Sequence, residues 1–299
     1  NGIRCLSSYL KQYDINTKLI LLRCGYKKCS KNILKEVKKI VRDSDLIGIS
    51  CMSAYYSIAV QLKNYLNDFC VPIVLGGIHA TMDPENCLKD FSIVCVGEGE
   101  EAFVELINSI KNNKPITNIS NIYSKEDKHI WENPLRPVIR DLDRLPFPDY
   151  DMEHQYIQHD DKILPVDKRD DIEEAFVVMG SRGCPHNCSY CCNSRIHSIY
   201  NLRDFDRVRT FSINYLINHL KFALEKLPYI NRFWIEDDTF FYRNLDEIIN
   251  FSLRYEKEIN RPFEMLCSPQ TFDEEKLDLL VRVGLIKIIF GIQSGSQHI

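Results

Sequence analysis

The chain has 299 residues, of which 44% are hydrophobic and 27% charged, with a net charge of −4. That length suits two domains or one large one with a real apolar core, and the near-neutral balance offers no basic face for a polyanion beyond a small patch at Arg203, Arg207 and Arg209, so no nucleic-acid partner is expected. No secretory signal or transit peptide opens the sequence, and its longest charge-free apolar stretch, Leu46 to Leu62, is interrupted by Ser, Gly, Gln and Tyr, too short and polar to span a bilayer; a cytoplasmic protein with no membrane span is expected.

Helix-like Gly2–Tyr13 comes first. Strands are then expected at Lys18–Leu22, Leu46–Ser50, Ile73–Gly76 and Ile93–Val96, all rich in Ile, Val and Leu with little alternation, as strands buried on both faces should be. Between them, Ile33, Leu34, Val37, Ile40 and Val41 mark one amphipathic helix, and Ala102, Phe103, Leu106, Ile107 and Ile110 mark another. Strands alternating with helices imply an α/β fold with a doubly wound parallel sheet. Ligands of such sheets sit at the carboxyl ends of the strands. Three strand ends are candidates: Ser50-Cys51-Met52-Ser53, Gly76-Gly77-Ile78-His79 and Gly97-Glu98-Gly99-Glu100. Any one of them alone reads as ordinary turn chemistry; three together point to a ligand approached closely by backbone.

Residues 1–122 form the first expected domain and residues 123–172 a linker with some local structure, punctuated by Pro134, Pro137, Pro146, Pro148 and Pro165. A second series occupies residues 173–299. Its strands are expected at Ala175–Gly180, Arg232–Glu236, Phe263–Cys267 and Ile286–Gly291, with helices between. Asp273, Glu274 and Glu275 stand where a helix dipole favours acids, and Gly284 supplies a stop.

The 12 cysteines are too sparse for a secreted disulfide scaffold. Most, such as Cys51 and Cys95, lie in apolar runs where a thiol is a small buried hydrophobe. Only Cys184, Cys188 and Cys191 have ligand-like spacing, Cys-x3-Cys-x2-Cys on one loop after the first strand of the second series. Three thiolates so placed can each bind one iron of a cubane cluster, leaving a fourth iron open to an external chelator. Zinc, with Cys192, His186 or His197 as fourth ligand, remains an alternative, as does a trio that binds no metal.

The run Ser181-Arg182-Gly183-Cys184-Pro185-His186-Asn187-Cys188-Ser189-Tyr190-Cys191 resembles the signature loop of radical S-adenosylmethionine (SAM) enzymes. Trp234–Phe240, Cys267-Ser268-Pro269-Gln270 and Gly291-Ile292-Gln293-Ser294-Gly295-Ser296 resemble the ends of the next three strands of that fold. The first half is similar to a cobalamin-binding domain at Asp45–Ser53, Pro72–Thr81 and Val96–Glu101, and Leu142–Pro148 resembles the segment that joins the two. The whole resembles the cobalamin-dependent radical SAM family, which implies a cobalamin-binding domain followed by a partial barrel of βα units.

The resemblance implies three cofactors: a [4Fe-4S] cluster on Cys184, Cys188 and Cys191, SAM and cobalamin. Tyr190, Asp237, Asp238, Ser268, Gln270, Gln293 and Ser294 would then contact SAM, although Asp237 and Asp238 could instead cap the helix expected over Leu245–Tyr255. Ser50, Ser53, Gly76, Gly77, His79, Gly97 and Gly99 would contact cobalamin; no catalytic residue is assigned. The implied activity is reductive cleavage of SAM coupled to methylation of an unactivated carbon in a small-molecule or peptide substrate, with an electron donor such as flavodoxin or ferredoxin. Alternatives are a cobalamin-dependent radical cyclase or rearranging enzyme, and a corrinoid-binding sensor with a structural cluster. The family's first cobalamin-domain strand, with the loop that supplies an axial histidine, would lie before residue 1, and its barrel usually continues past a fourth strand, so a sequence shortened at both ends is expected.

Overall fold

The computed structural model describes residues 2–25, 28–166 and 175–296. Its first half runs α1 (Gly2–Lys11), β1 (Leu19–Leu21), α2 (Lys31–Ile40), β2 (Ile47–Ser50), α3 (Tyr56–Leu66), β3 (Ile73–Gly76), α4 (Gly77–Met82), α5 (Pro84–Asp90), β4 (Ile93–Cys95) and α6 (Glu100–Lys111). Strands β2, β3 and β4 pair in parallel. Their continuous apolar runs are explained by cover on both faces. Successive side chains of a strand point to opposite faces: Val74 packs with Leu10 of α1 and Phe103 and Leu106 of α6. Its neighbour Leu75 packs with Ala59, Ala80, Leu88 and Phe91 of the region α3 to α5.

The segment expected as a linker is more structured than that. Strands β5 (Ile122–Glu126) and β6 (His129–Glu132) extend the first sheet antiparallel to β4, giving the order β2-β3-β4-β5-β6. The expected boundary at 122/123 therefore falls inside a strand; the boundary at 172/173 lies outside the described residues. Strands β7 (Gln155–His159) and β8 (Lys162–Pro165) form a hairpin, and β1 pairs in parallel with β7 rather than with β2. The short apolar run of β1 fits either sheet equally well, so its pattern names no partner. β5 and β7 escaped the sequence reading because the alternation of a half-exposed antiparallel strand is broken where polar Ser124 and Gln155 take buried positions. Between β6 and β7 the chain is packed, not free: Leu142 and Leu145 are buried with Phe211 and Tyr215 of the second half.

The second half runs β9 (Phe176–Val178), β10 (Ser181–Arg182), α7 (Cys192–Ile199), β11 (Arg209–Thr210), α8 (Ile213–Lys226), β12 (Phe233–Ile235), α9 (Leu245–Glu258), β13 (Phe263–Cys267), α10 (Glu274–Arg282) and β14 (Leu285–Phe290). The four longer strands form a wholly parallel sheet in the order β14-β13-β12-β9, the βα series expected from sequence. Its core joins Val178, Phe233, Ile235, Phe263 and Met265 to Leu216, Leu220, Phe251, Tyr255 and Leu280 of the helices. Strands β10 and β11 make a separate two-stranded antiparallel ribbon. Among the described residues no helix is long and apolar enough to cross a membrane.

Tyr150, from the connecting segment, docks on α8. Its hydroxyl lies 2.7 Å from His219 Nε2, and Phe147 stacks on the same imidazole at 5.3 Å. Burial pushes His219 down to about 4. A histidine whose folded pKa is depressed below its unfolded value contributes stability above the unfolded pKa and loses it as pH falls through the folded one. On the order of 3 kcal/mol should therefore be lost from this group as pH falls from about 6.5 to about 4. Urea denaturation of the wild type and of His219→Phe across that window should show a shallower pH dependence in the variant; equal slopes would contradict a buried neutral imidazole.

Candidate cluster loop and the strand-end rim

The cysteine loop starts from a ribbon that holds its first residue tightly. Gly183, with φ +92°, follows β10, and a Cβ there would run into the carbonyl oxygen of Arg207; only glycine tolerates that position. The loop ends at α7, with Cys191 at the N-cap. Cys191 N–H donates to the Cys188 carbonyl at 3.0 Å, and Ser194 Oγ donates to the carbonyls of Cys188 and Cys191 at 2.8 and 2.9 Å. Burial pushes the Cys184 thiol up, partly offset by the His186 N–H, and the negative charges of Asp238, Cys191 and Cys188 raise it further. A bound cation reverses that balance.

Two further strand ends reach the loop. His186 Nε2 lies 2.8 Å from Ser268 Oγ, beyond β13. Asn193 Nδ2, in the first turn of α7, donates to Asp238 Oδ2 at 3.0 Å, beyond β12. Parallel strands put all these ends on one edge, so Gln270, Gln293 and Ser294 stand on the same edge, exposed. Tyr190 is 69% exposed and leaves one side of the loop open.

The paired acids separate. Asp238 is exposed and turned to the loop, whereas Asp237 is 1% exposed. Asp237 Oδ1 accepts the Gly180 N–H, while Arg243 donates to the Gly180 and Phe211 carbonyls at 2.7 and 3.0 Å. Asp237 thus braces the stretch between β9 and β10 from inside the core, which corrects the expectation that it faces SAM. Nor does either acid cap α9: Asn244 does, in a capping box with Glu247.

On the first domain, Ser50, Met52 and Ser53 are exposed, and His79 Nδ1 lies 3.0 Å from Ser53 Oγ with its ring 4.3 Å from that of Tyr56. These groups form a polar rim. The glycines have other duties. Gly77, φ +87°, lets the ends of β2 and β3 meet, since a Cβ would lie 2.6 Å from Ser50 Oγ. Gly76 is buried, and its Cβ position lies 3.9 Å from Cys95 Cβ. Gly99 faces Phe103 and Cys95, and Gly97, φ +79°, makes room for the Tyr200 hydroxyl of the second domain. At Gly77 and Gly97 the close neighbours within the chain, Ser50 and Tyr200, already leave no room for a side chain. Asn193 and Arg243 were missed because polar residues spaced tens of positions from their partners carry no local pattern, and so was Ser194, which braces the loop locally; His186, considered only as a zinc ligand, instead reaches Ser268.

A cavity of about 550 Å³ opens between the domains, lined by Met82 at the end of α4 and by Tyr190, Cys191, Cys192 and Arg195. Among the described residues no three His, Cys, Asp or Glu side chains gather closely enough to hold a single metal ion. Of the fourth ligands zinc could use, Cys192 is exposed on the cavity beside Cys191, His186 is engaged with Ser268, and His197 is buried with neither ring nitrogen hydrogen-bonded among the described residues. Three thiols spread along one loop suit a multi-iron cluster, where each meets its own iron, rather than one tetrahedral zinc.

Residues 1–107 match the family model of the B12 binding domain, and residues 178–299 match that of the radical SAM superfamily. An uncharacterized methyltransferase of Pyrococcus horikoshii is 30% identical over 282 residues, covering 90% of this chain and 55% of its own length. Anaerobic magnesium-protoporphyrin IX monomethyl ester cyclase of Rubrivivax gelatinosus is 26% identical over 85% of this chain and 44% of its own. The chain thus spans about half the length of these curated relatives. Among solved structures, the cobalamin-dependent SAM radical enzyme OxsB with aqua-cobalamin and SAM bound superposes with a TM-score of 0.69 at 19% identity, over 99% of this chain and 42% of that one.

Anaerobic reconstitution with iron and sulfide should load about four irons with matching labile sulfide, and Cys188→Ala should lower both. One zinc per chain without sulfide would contradict this assignment of the loop.

Proposed function

The chain joins a B12-binding domain to a radical SAM superfamily domain and so belongs to the cobalamin-dependent radical SAM enzymes, and from that premise we propose that it methylates an unactivated carbon of a small-molecule or peptide substrate. One observation carries the proposal: the cysteine loop and the α4 end of the cobalamin domain line the same cavity, through Cys191 and Met82. Reagents held on the two domains would therefore reach one substrate from two sides.

When bound, the cofactors supply one-electron cleavage of SAM and a transferable methyl group. The chain's own residues hold and orient. Cys184, Cys188 and Cys191 would ligate the cluster. Asp238, exposed beside the loop and oriented by Asn193, offers a carboxylate to the SAM amine or ribose; Ser268, Gln270, Gln293 and Ser294 stand on the same edge. Tyr190 would cover the adenine. Ser50, Ser53 and His79 offer hydrogen bonds to the amide periphery of a corrin. The one-electron donor is flavodoxin or ferredoxin in this reading, and the setting is cytoplasmic.

A cobalamin-dependent radical cyclase is the second reading, favoured by the similarity to the Rubrivivax gelatinosus cyclase. A corrinoid sensor with a structural cluster would have no use for a loop left open at Tyr190 beside a cavity. Product analysis separates the two enzymes. A methyltransferase spends one SAM on the methyl group, releasing S-adenosylhomocysteine, and splits another to methionine and 5′-deoxyadenosine. Chromatography of the intact protein with SAM, cobalamin and titanium(III) citrate should reveal both products, and Cys188→Ala should lose only 5′-deoxyadenosine. Deoxyadenosine alone from the wild type would favour the cyclase; adenosylhomocysteine alone would contradict SAM cleavage at the loop.

A further inference from the structure

We propose that Gly97–Glu100 is an interdomain latch, in which Glu98 is a positioning residue that sets where the cysteine loop stands relative to the strand-end rim; the proposal rests on the reading that the two sites act together. Glu98 Oε1 accepts from Arg182 at 3.0 Å and from Arg209 at 2.8 Å, and its other oxygen accepts the Ile139 N–H at 2.8 Å. Arg182 forks, its second nitrogen donating to Glu100 Oε1 at 2.6 Å. The two arginines stand opposite each other's strands in the β10–β11 ribbon. A planar guanidinium between two carboxylates fixes direction as well as distance.

The other flank of the loop is held by the same segment. The Glu98 N–H donates to Tyr200 Oη at 2.8 Å, and Tyr200 is the C-cap of α7, the helix that begins directly after Cys191. The loop is therefore gripped on both sides: at Arg182, two residues before Cys184, and at Tyr200, beyond the helix its last cysteine caps. A third contact ties the grip to the rim. Thr81 Oγ1 accepts the Gly97 N–H at 2.9 Å and donates to the Gly77 carbonyl at 3.0 Å. Hydrogen bonds thus run from Gly77, beside Ser50 and His79, through Thr81, Gly97 and Glu98 to Tyr200 and α7. The ion-paired side chains are 9–22% exposed, so water competes weakly for them and removing one partner strands the others. None of the latch side chains reaches into the cavity lining named above, which makes their effect one of position.

Two variants test this. Glu98→Gln keeps shape and removes the charge; Tyr200→Phe removes one oxygen and decides the matter should Glu98→Gln fail to fold. In the cofactor-free chain, hydrogen exchange across residues 183–200 should quicken about tenfold in either variant, the effect of losing one charge-assisted or buried hydrogen bond, while peptides of α8 and α9 stay unchanged. In protein loaded with cob(II)alamin and reduced cluster, pulsed electron paramagnetic resonance should give one narrow cobalt–cluster separation for the wild type and a shifted or broadened one for the variants, at unchanged iron and corrinoid content. Unchanged exchange together with an unchanged separation overturns the latch. A wild type that binds neither iron nor corrinoid overturns the functional reading instead, and hydrogen exchange alone then decides the latch.

Discussion

Parallel pairing is the constraint from which the arrangement follows. In a parallel sheet every strand ends on the same edge, so the loops after the strands converge whatever their separation in sequence. The loop after β9 carries the cysteines, the turn after β12 carries Asp238, and the turn after β13 carries Ser268; His186 and Asn193 join them by direct hydrogen bonds. The first sheet obeys the same rule, and its β2 and β3 ends present Ser50, Ser53 and His79. Where the two halves meet, a cavity is lined by Met82, at the end of α4, and by the cysteine loop with the start of α7.

The seam between the edges is polar, and this shapes its role. An apolar seam would hold the domains together without specifying how they are turned. Here Glu98 lies between Arg182 and Arg209, and the backbone of the same residue holds Tyr200. Buried ion pairs bring little net stability against apolar groups of similar volume, yet they tolerate few geometries. A reaction that brings two separately bound reagents to one carbon requires such a fixed relation. The same logic explains Asp237 and Arg243, which spend two ionisable side chains on bracing Gly180, between β9 and the ribbon that leads to Cys184.

The parallel strands were legible because burial on both faces favours continuous apolar runs: β2, β3, β4, β9, β12 and β13 fall within the expected runs, and β14 begins one residue before its own. The hairpins β5–β6 and β7–β8 were not, since Tyr123, Lys125, His129 and Gln158 give a half-exposed strand no strong signature. The pairing of β1 with β7 depends on which edge lies nearby, a long-range fact absent from three apolar residues. At the site, the cysteine spacing was legible because its chemistry is local. The fates of Asp237 and Asp238 were not: both lie in the turn beyond β12, whose course sends one acid to the core and the other to the loop, and no local pattern sets that course. The neighbours of the glycines were not legible for a related reason. A positive φ identifies a tight approach, but whether the visitor is a ligand, Ser50 or Tyr200 depends on the tertiary structure.

The central claim is that the corrin and the cluster would face one another across the cavity between Met82 and Cys191. An anaerobic crystal structure of the protein loaded with hydroxocobalamin, iron–sulfur cluster and SAM tests it most directly. The account predicts the corrin against the rim of Ser50, Ser53 and His79, the cluster on Cys184, Cys188 and Cys191, and SAM beside Asp238 and Ser268, all opening on that one cavity. A corrin seated elsewhere on the first domain, with the cavity closed between it and the cluster, would contradict it.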